Sequence, residues 1–160
     1  AVKLYDVNLR EDFHNRNIID RSCELATAVK LNRQELAVVC QTLGIVPGDG
    51  DAATEADRLV GRLLKKYRLQ LVVLTRGRDG TVLYSAKERF EGQRAQYPPA
   101  ENADNVGAGD ACSAAILVGQ VLRMGLQRTV DLANHAGAYV ASQPGGTPEL
   151  PQAILDMVKG

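Results

Sequence analysis

The sequence predicts an α/β sandwich built on a mostly parallel sheet, and three observations carry that expectation. Segments with strand patterning alternate with segments of helical spacing from the first residues onward. Leu71-Val72-Val73-Leu74 is a continuous apolar run of the kind a strand shows when both its faces are covered. Ala111 to Leu122 carries only Ser113 and Gln120 as polar side chains, which suits a helix buried in the middle of a domain.

Each element follows from local pattern. Val2 to Arg10 reads as a strand: Val2 and Leu4 share a face with Asp6, Asn8 and Arg10, so that face turns from apolar to polar along its length. Helical spacing runs from Ile18 to about Val29 and a short strand Val29-Lys30-Leu31 follows. A second helix, Arg33 to about Leu43, is ended by Gly44. Pro47-Gly48-Asp49-Gly50-Asp51 is a loop, after which Thr54 caps a helix with Leu59, Leu63, Leu64 and Tyr67 as its buried stripe. Leu69 to Thr75 is the next strand. Arg78-Asp79-Gly80 turns it into Thr81-Val82-Leu83-Tyr84 as a hairpin, with a further short strand over Arg89 to Gln93. Pro98 to Gly109 is a loop that delivers the chain into a helix beginning near Ala108. Helices over about Thr129 to Ser142, and after Pro148 or Pro151, complete the chain. No repeat or linker interrupts it, so residues 1–160 are expected to form one domain.

Composition narrows the function. The 160 residues are 45% hydrophobic and 24% charged, an ordinary globular balance. Lys+Arg and Asp+Glu both number 19, so the net charge is zero and argues against a nucleic-acid partner. Cys23, Cys40 and Cys112 form no Cys-x-x-Cys pair and suggest neither a disulfide framework nor a zinc site; reduced thiols in the cytoplasm are expected. His14 and His135 lack acidic or cysteine partners at ligand spacing, so neither metal binding nor a nucleophilic triad is expected of them. Arg62, Lys65, Lys66 and Arg68 read as a solvated helix face. No leader and no bilayer-spanning apolar stretch is present, so a soluble protein without a membrane partner is expected. Ala1-Val2-Lys3-Leu4-Tyr5 opens as the middle of a strand, which suggests a fragment.

The sharpest feature is Asp104-Asn105-Val106-Gly107-Ala108-Gly109-Asp110, a two-glycine loop entering an apolar helix. Glycines let backbone approach a ligand, and helix N-terminal amides offer the positive end of the dipole, so the site attracts phosphate. It is not a Walker A loop, because no Gly-Lys-Ser/Thr follows. Cys112 occupies the third-glycine position of a dinucleotide fingerprint, and a loop precedes it. A helix start with glycines serving only turn geometry would look similar.

Asp104 to Asp110 resembles the C-terminal signature of the ribokinase (PfkB) family, usually Asp-Thr-x-Gly-Ala-Gly-Asp, departing at Asn105, with Cys112 beyond it where phenylalanine is common. The resemblance implies a ribokinase-like three-layer α/β/α sandwich whose N-terminal strands and lid are missing here. Residues 1–160 would then be the C-terminal, nucleotide-binding part of a single kinase domain. It implies ATP-dependent phosphoryl transfer to a sugar hydroxyl, with Asp110 as base and the amides of Gly107, Ala108 and Gly109 as anion hole. Phosphoryl transfer through a loose transition state needs positioned charge more than a strong base, and a carboxylate suffices.

Other segments agree with the family by resemblance while also having plain readings. Asn32-Arg33-Gln34-Glu35 resembles its Asn-x-x-Glu motif, which implies phosphate and Mg2+ binding, with Glu35 holding the metal through water; a capping box has the same pattern. Asp6-x-Asn8-x-Arg10 looks like a segment of fructokinase-like and 2-keto-3-deoxygluconate kinase-like members that faces phosphates or sugar; a solvated strand end with a local ion pair is the bland reading. Thr75-Arg76-Gly77-Arg78-Asp79-Gly80 is similar to the family's Thr-x-Gly-x-x-Gly nucleotide turn, which implicates Thr75, Gly77 and Gly80, though a bare hairpin turn differs little. Asn134 aligns with the helix that lines the adenine pocket. The implied cofactors are ATP and Mg2+, with a monovalent cation as a further candidate. The partners are a small-molecule sugar and ATP, and the full-length protein could be a homodimer. The competing expectations are a nucleotide-binding or interaction module of the same fold without turnover, and a nucleoside or vitamin kinase.

Overall fold

The computed structural model describes residues 1–10, 14–48 and 54–159. In chain order these form β1 (Leu4–Asp6), α1 (Arg16–Leu25), β2 (Ala28–Asn32), α2 (Arg33–Leu43), α3 (Glu55–Tyr67), β3 (Leu71–Thr75), β4 (Thr81–Tyr84), β5 (Arg89–Glu91), α4 (Ala108–Val121), α5 (Leu126–Val140) and α6 (Gln152–Lys159). A 3-10 turn, Gly77–Asp79, stands before β4. The strands lie in one mixed sheet in the order β1-β2-β3-β4-β5, with β1, β2 and β3 parallel. Residues 49–51 of the expected loop lie outside the described residues.

The described residues divide into two compact units: Ala1–Gly77 with Val82–Arg89, and Arg78–Thr81 with Phe90–Gly160. Composition gives no hint of this division, because the chain changes unit inside β4 and β5 and not at a linker.

In the first unit the alternation of β2 and β3 sends Val29, Leu31, Val72 and Leu74 to one face. There they pack with Ile19 and Cys23 of α1, Leu36, Val39 and Leu43 of α2, and Leu59, Val60 and Leu63 of α3. The intervening residues Ala28, Leu71 and Val73 are buried as well, as the continuous apolar run requires. Gly44 ends α2 at φ +67, and the Thr54 hydroxyl accepts the Asp57 N–H at 3.1 Å as the N-cap of α3. Burial pushes the Cys23 thiol up to about 12 and the Cys40 thiol up to about 11, so both behave as apolar filling.

In the second unit α4 and α5 pack closely. A Cβ on Gly119 would stand 2.5 Å from the Thr129 side chain. The expectation that α4 is buried all round needs correction. Only the stripe Cys112, Ala115, Ile116 and Gly119 is covered, whereas Val118, Val121 and Leu122 are exposed. The buried stripe is the one that faces α5 and Thr81, and the apolar residues off that stripe stay exposed whatever the helix's composition.

Candidate active site

The parallel strands β1, β2 and β3 run in register, Asp6 opposite Lys30 and Asn32 opposite Thr75, so their C-terminal ends share one edge of the sheet. Open α/β sheets take ligands at that edge. Asn32 caps α2 there: its side chain accepts the Glu35 N–H at 2.9 Å, and the Glu35 carboxylate accepts the Asn32 N–H at 2.8 Å. The other Glu35 oxygen accepts the Leu9 N–H at 3.2 Å. Glu35 therefore joins the start of α2 to the segment after β1, and the capping box that the spacing allowed is formed.

The first strand is shorter than the alternation predicts. It ends at Asp6, and Asn8 has φ +36, so Asp6, Asn8 and Arg10 do not line one strand face; this corrects the sequence reading. Contacts distant in sequence decide the ending. Lys30 Nζ donates to Asp6 Oδ2 at 2.7 Å, the Val7 N–H takes the Lys30 carbonyl at 2.9 Å, and Glu35 then draws the Leu9 N–H toward α2. Asparagine is among the few residues that enter the left-handed region readily. Asn8 and Arg10 are exposed. Lys30 was not singled out by sequence, yet it is the buried charged residue of this edge, 6% exposed. Its signal is a lysine between apolar neighbours in a strand, opposite an aspartate in register.

The turn after β3 places Thr75 half-buried, its hydroxyl 3.5 Å from the Leu31 carbonyl, and uses left-handed backbone at Gly77 (φ +59) and Gly80 (φ +77). Asn134 belongs to α5 and is 6% exposed. Its Oδ1 accepts the Thr81 N–H at 2.9 Å and its Nδ2 donates to the Gln93 carbonyl at 2.8 Å. Nearby, His135 Nδ1 meets the Tyr97 hydroxyl at 2.8 Å.

The signature loop sits at the start of α4. Gly107 is the N-cap residue at φ +77, no side chain caps the helix, and Asp110 stands exposed in its first turn. A Cβ at Gly107 would lie 2.3 Å from the Gly146 carbonyl oxygen, so the loop rests directly on the turn after α5. Asp104 joins the two: its carboxylate accepts the Val106 N–H at 2.9 Å and the Gly145 N–H at 3.1 Å. An α-helix leaves its first-turn N–H groups without partners inside the helix, and here no side chain takes them up. The arrangement suits an anion, with a carboxylate one turn in.

Among the described residues no three His, Cys, Asp or Glu side chains are gathered as a closed metal cage would need. The Glu35 carboxylate keeps a lone pair on each oxygen beyond the amides it accepts, which fits a hydrated Mg2+ held through water and not a dedicated site. No described helix is long and apolar enough to cross a membrane.

Comparison with known proteins places the architecture first. A 2-dehydro-3-deoxygluconokinase from Thermotoga maritima superposes with a TM-score of 0.76 at 18% identity, covering 100% of this chain and 50% of its own. A double-mutant fructokinase from Vibrio cholerae O395, bound to fructose, ADP and potassium ion, gives 0.71 at 23% identity over 97% of this chain and 49% of its own. The fold is ribokinase-like α/β. A fructokinase of Klebsiella pneumoniae is 28% identical over 92% of this chain and 47% of its own length. The pfkB family carbohydrate kinase profile matches residues 1–153, and the chain belongs to that family. It spans about half the length of the curated relatives it matches.

Proposed function

We propose that this chain is the nucleotide-binding, catalysis-bearing half of one kinase domain that transfers the γ-phosphoryl group of ATP to a sugar hydroxyl, in the manner of a fructokinase. The observation that carries the reading is the glycine start of α4, which has no side-chain cap and carries the exposed Asp110 carboxylate in its first turn. The sugar oxygen forms a bond to the γ-phosphorus as the bond to the β-bridging oxygen breaks. The hydroxyl proton passes to Asp110, and ADP leaves with the bonding electron pair. The amides of Gly107, Ala108 and Gly109 stabilise the charge on the transferring group.

Thr75, Gly77 and Gly80 form the nucleotide turn, Asn134 lies on the helix beside the adenine pocket, and Asp6, Asn8 and Arg10 face phosphate or sugar. Asn32 and Glu35 would hold a hydrated Mg2+, which would supply positive charge to offset that of the phosphates. Potassium in the Vibrio fructokinase supports a monovalent cation as an additional cofactor. The fructokinase relatives support a sugar as acceptor.

The test is ADP release by the full-length gene product across a panel of sugars, beside Asp110→Ala. The variant should lose about a hundredfold to ten-thousandfold in kcat. Turnover surviving Asp110→Ala removes the base. ATP binding without turnover on any small alcohol replaces the kinase with a binding module.

A further inference from the structure

Asn134 sits in the interior of α5, where asparagine is a poor helix former and where a buried amide without partners is destabilising. Its partners lie outside the helix. Thr81 opens β4 directly after Gly80, and Gln93 follows β5. Each is held at both backbone groups. The Thr81 N–H donates to Asn134, and its carbonyl accepts the Gly92 N–H at 3.1 Å. The Gln93 carbonyl accepts from Asn134, and its N–H donates to Asp131, one turn earlier on α5, at 2.7 Å. An N–H can only donate and a carbonyl only accept, so these partners fix the amide in one orientation.

The glycines on either side fit the same amide. A Cβ on Gly80 would stand 3.0 Å from Asn134 Nδ2, and one on Gly92 would stand 2.4 Å from it and 2.9 Å from the Val130 carbonyl. Gly80 therefore serves its left-handed backbone and also the close approach of Asn134. A surface ion pair, Arg94 to Asp79 at 3.3 Å, ties the same two segments more weakly.

We propose that Asn134 is a positioning residue: it sets the C-terminal end of the Gly77–Gly80 turn for the nucleotide through the Thr81 and Gln93 backbone, and does not act by touching the base. This rests on the reading of that turn as the nucleotide turn. The amide is buried and both its polar atoms already serve backbone, so its effect on a bound nucleotide passes through the turn.

The experiment uses the full-length gene product with Asn134→Leu and Asn134→Asp. Asn134→Leu should raise KM for ATP about tenfold while kcat stays within about threefold and the sugar KM is unchanged. The same factor should appear with ITP, and hydrogen exchange at the Thr81 amide should accelerate. Asn134→Asp keeps the acceptor, so Thr81 should remain protected in it; this variant also carries the KM measurement should Asn134→Leu not fold. A loss seen with ATP and absent with ITP overturns the proposal in favour of base contact. An unchanged KM for ATP in a variant with fast Thr81 exchange overturns it as well, leaving a purely structural clamp. Absence of ATP-dependent turnover in the wild type, with slow Thr81 exchange, sinks the kinase reading and this inference with it; unchanged Thr81 exchange in Asn134→Leu sinks the clamp alone.

Discussion

Helices α2 and α4 both begin at motifs that the family resemblance ties to phosphate, and they begin in opposite ways. The start of α2 is closed by its own side chains, with Asn32 and Glu35 capping each other and Glu35 also taking the Leu9 amide. The start of α4 has Gly107 and no side-chain cap. A capped terminus has its dipole and amides answered from within the protein, whereas a glycine terminus leaves them for a ligand. Under the proposed function the first start is scaffold and the second faces the anion, although both are short motifs of similar length.

The largest expected effect breaks the open end. Gly107→Ala would put a methyl group against the Gly146 carbonyl at left-handed backbone, and should cost at least about 2 kcal/mol of stability together with nucleotide affinity. Chemical denaturation of the full-length product and nucleotide titration check it; an unaltered variant erases the distinction between the two helices.

A smaller effect belongs to the closed end. Asn32→Ala should cost about 1 kcal/mol, the usual worth of an N-cap. Glu35→Gln keeps one acceptor for two backbone N–H groups, those of Asn32 and Leu9, and should also cost about 1 kcal/mol while raising the Mg2+ concentration needed for turnover severalfold. If Asn32→Ala leaves stability untouched and abolishes phosphate binding, the scaffold assignment of α2 is reversed.

An effect of the same size at pH 7, which should shrink in acid, tests side-chain closure elsewhere in the first unit. Burial pushes the Asp57 carboxyl up, but hydrogen bonds from the Tyr84 and Thr54 hydroxyls and the Arg89 guanidinium outweigh it and hold the group below its ordinary value of 3.8. A depressed carboxyl stabilises the fold above its unfolded value, and that contribution is lost as pH falls through the folded one. Tyr84→Phe should therefore cost about 1 kcal/mol at pH 7. The gap to wild type should narrow as the solution is taken below pH 3.8. Urea midpoints at the two pH values measure it; a constant gap means that the pair carries no charge-dependent stability.

The parts legible in sequence are those decided within a few residues. The caps at Asn32 and Thr54, the stop at Gly44, the buried run of β3 and the entry of α4 at Gly107 each depend on neighbours in the chain. What sequence alone misplaced depends on distant partners. Strand β1 stops where Lys30 and Glu35, from β2 and α2, capture Asp6 and the Leu9 amide. A helical asparagine is ordinarily exposed, and only the fold shows that Asn134 meets Thr81 and Gln93. The solvent-facing side of α4 is likewise invisible in a composition that is apolar all round.

Asp104 and Gly145 lie 41 positions apart and are joined by a carboxylate–amide bond, beside which the Asp104 N–H donates to the Gln143 carbonyl at 3.2 Å, with α4 and α5 both inside the segment they close. In polymer terms this is a ring closure: each conformation that separates the ends must first break those bonds, and a longer ring would cost only logarithmically more entropy to close. The glycine entrance to α4 and the exit of α5 are therefore closed together, and whatever opens one end of the ring releases the other.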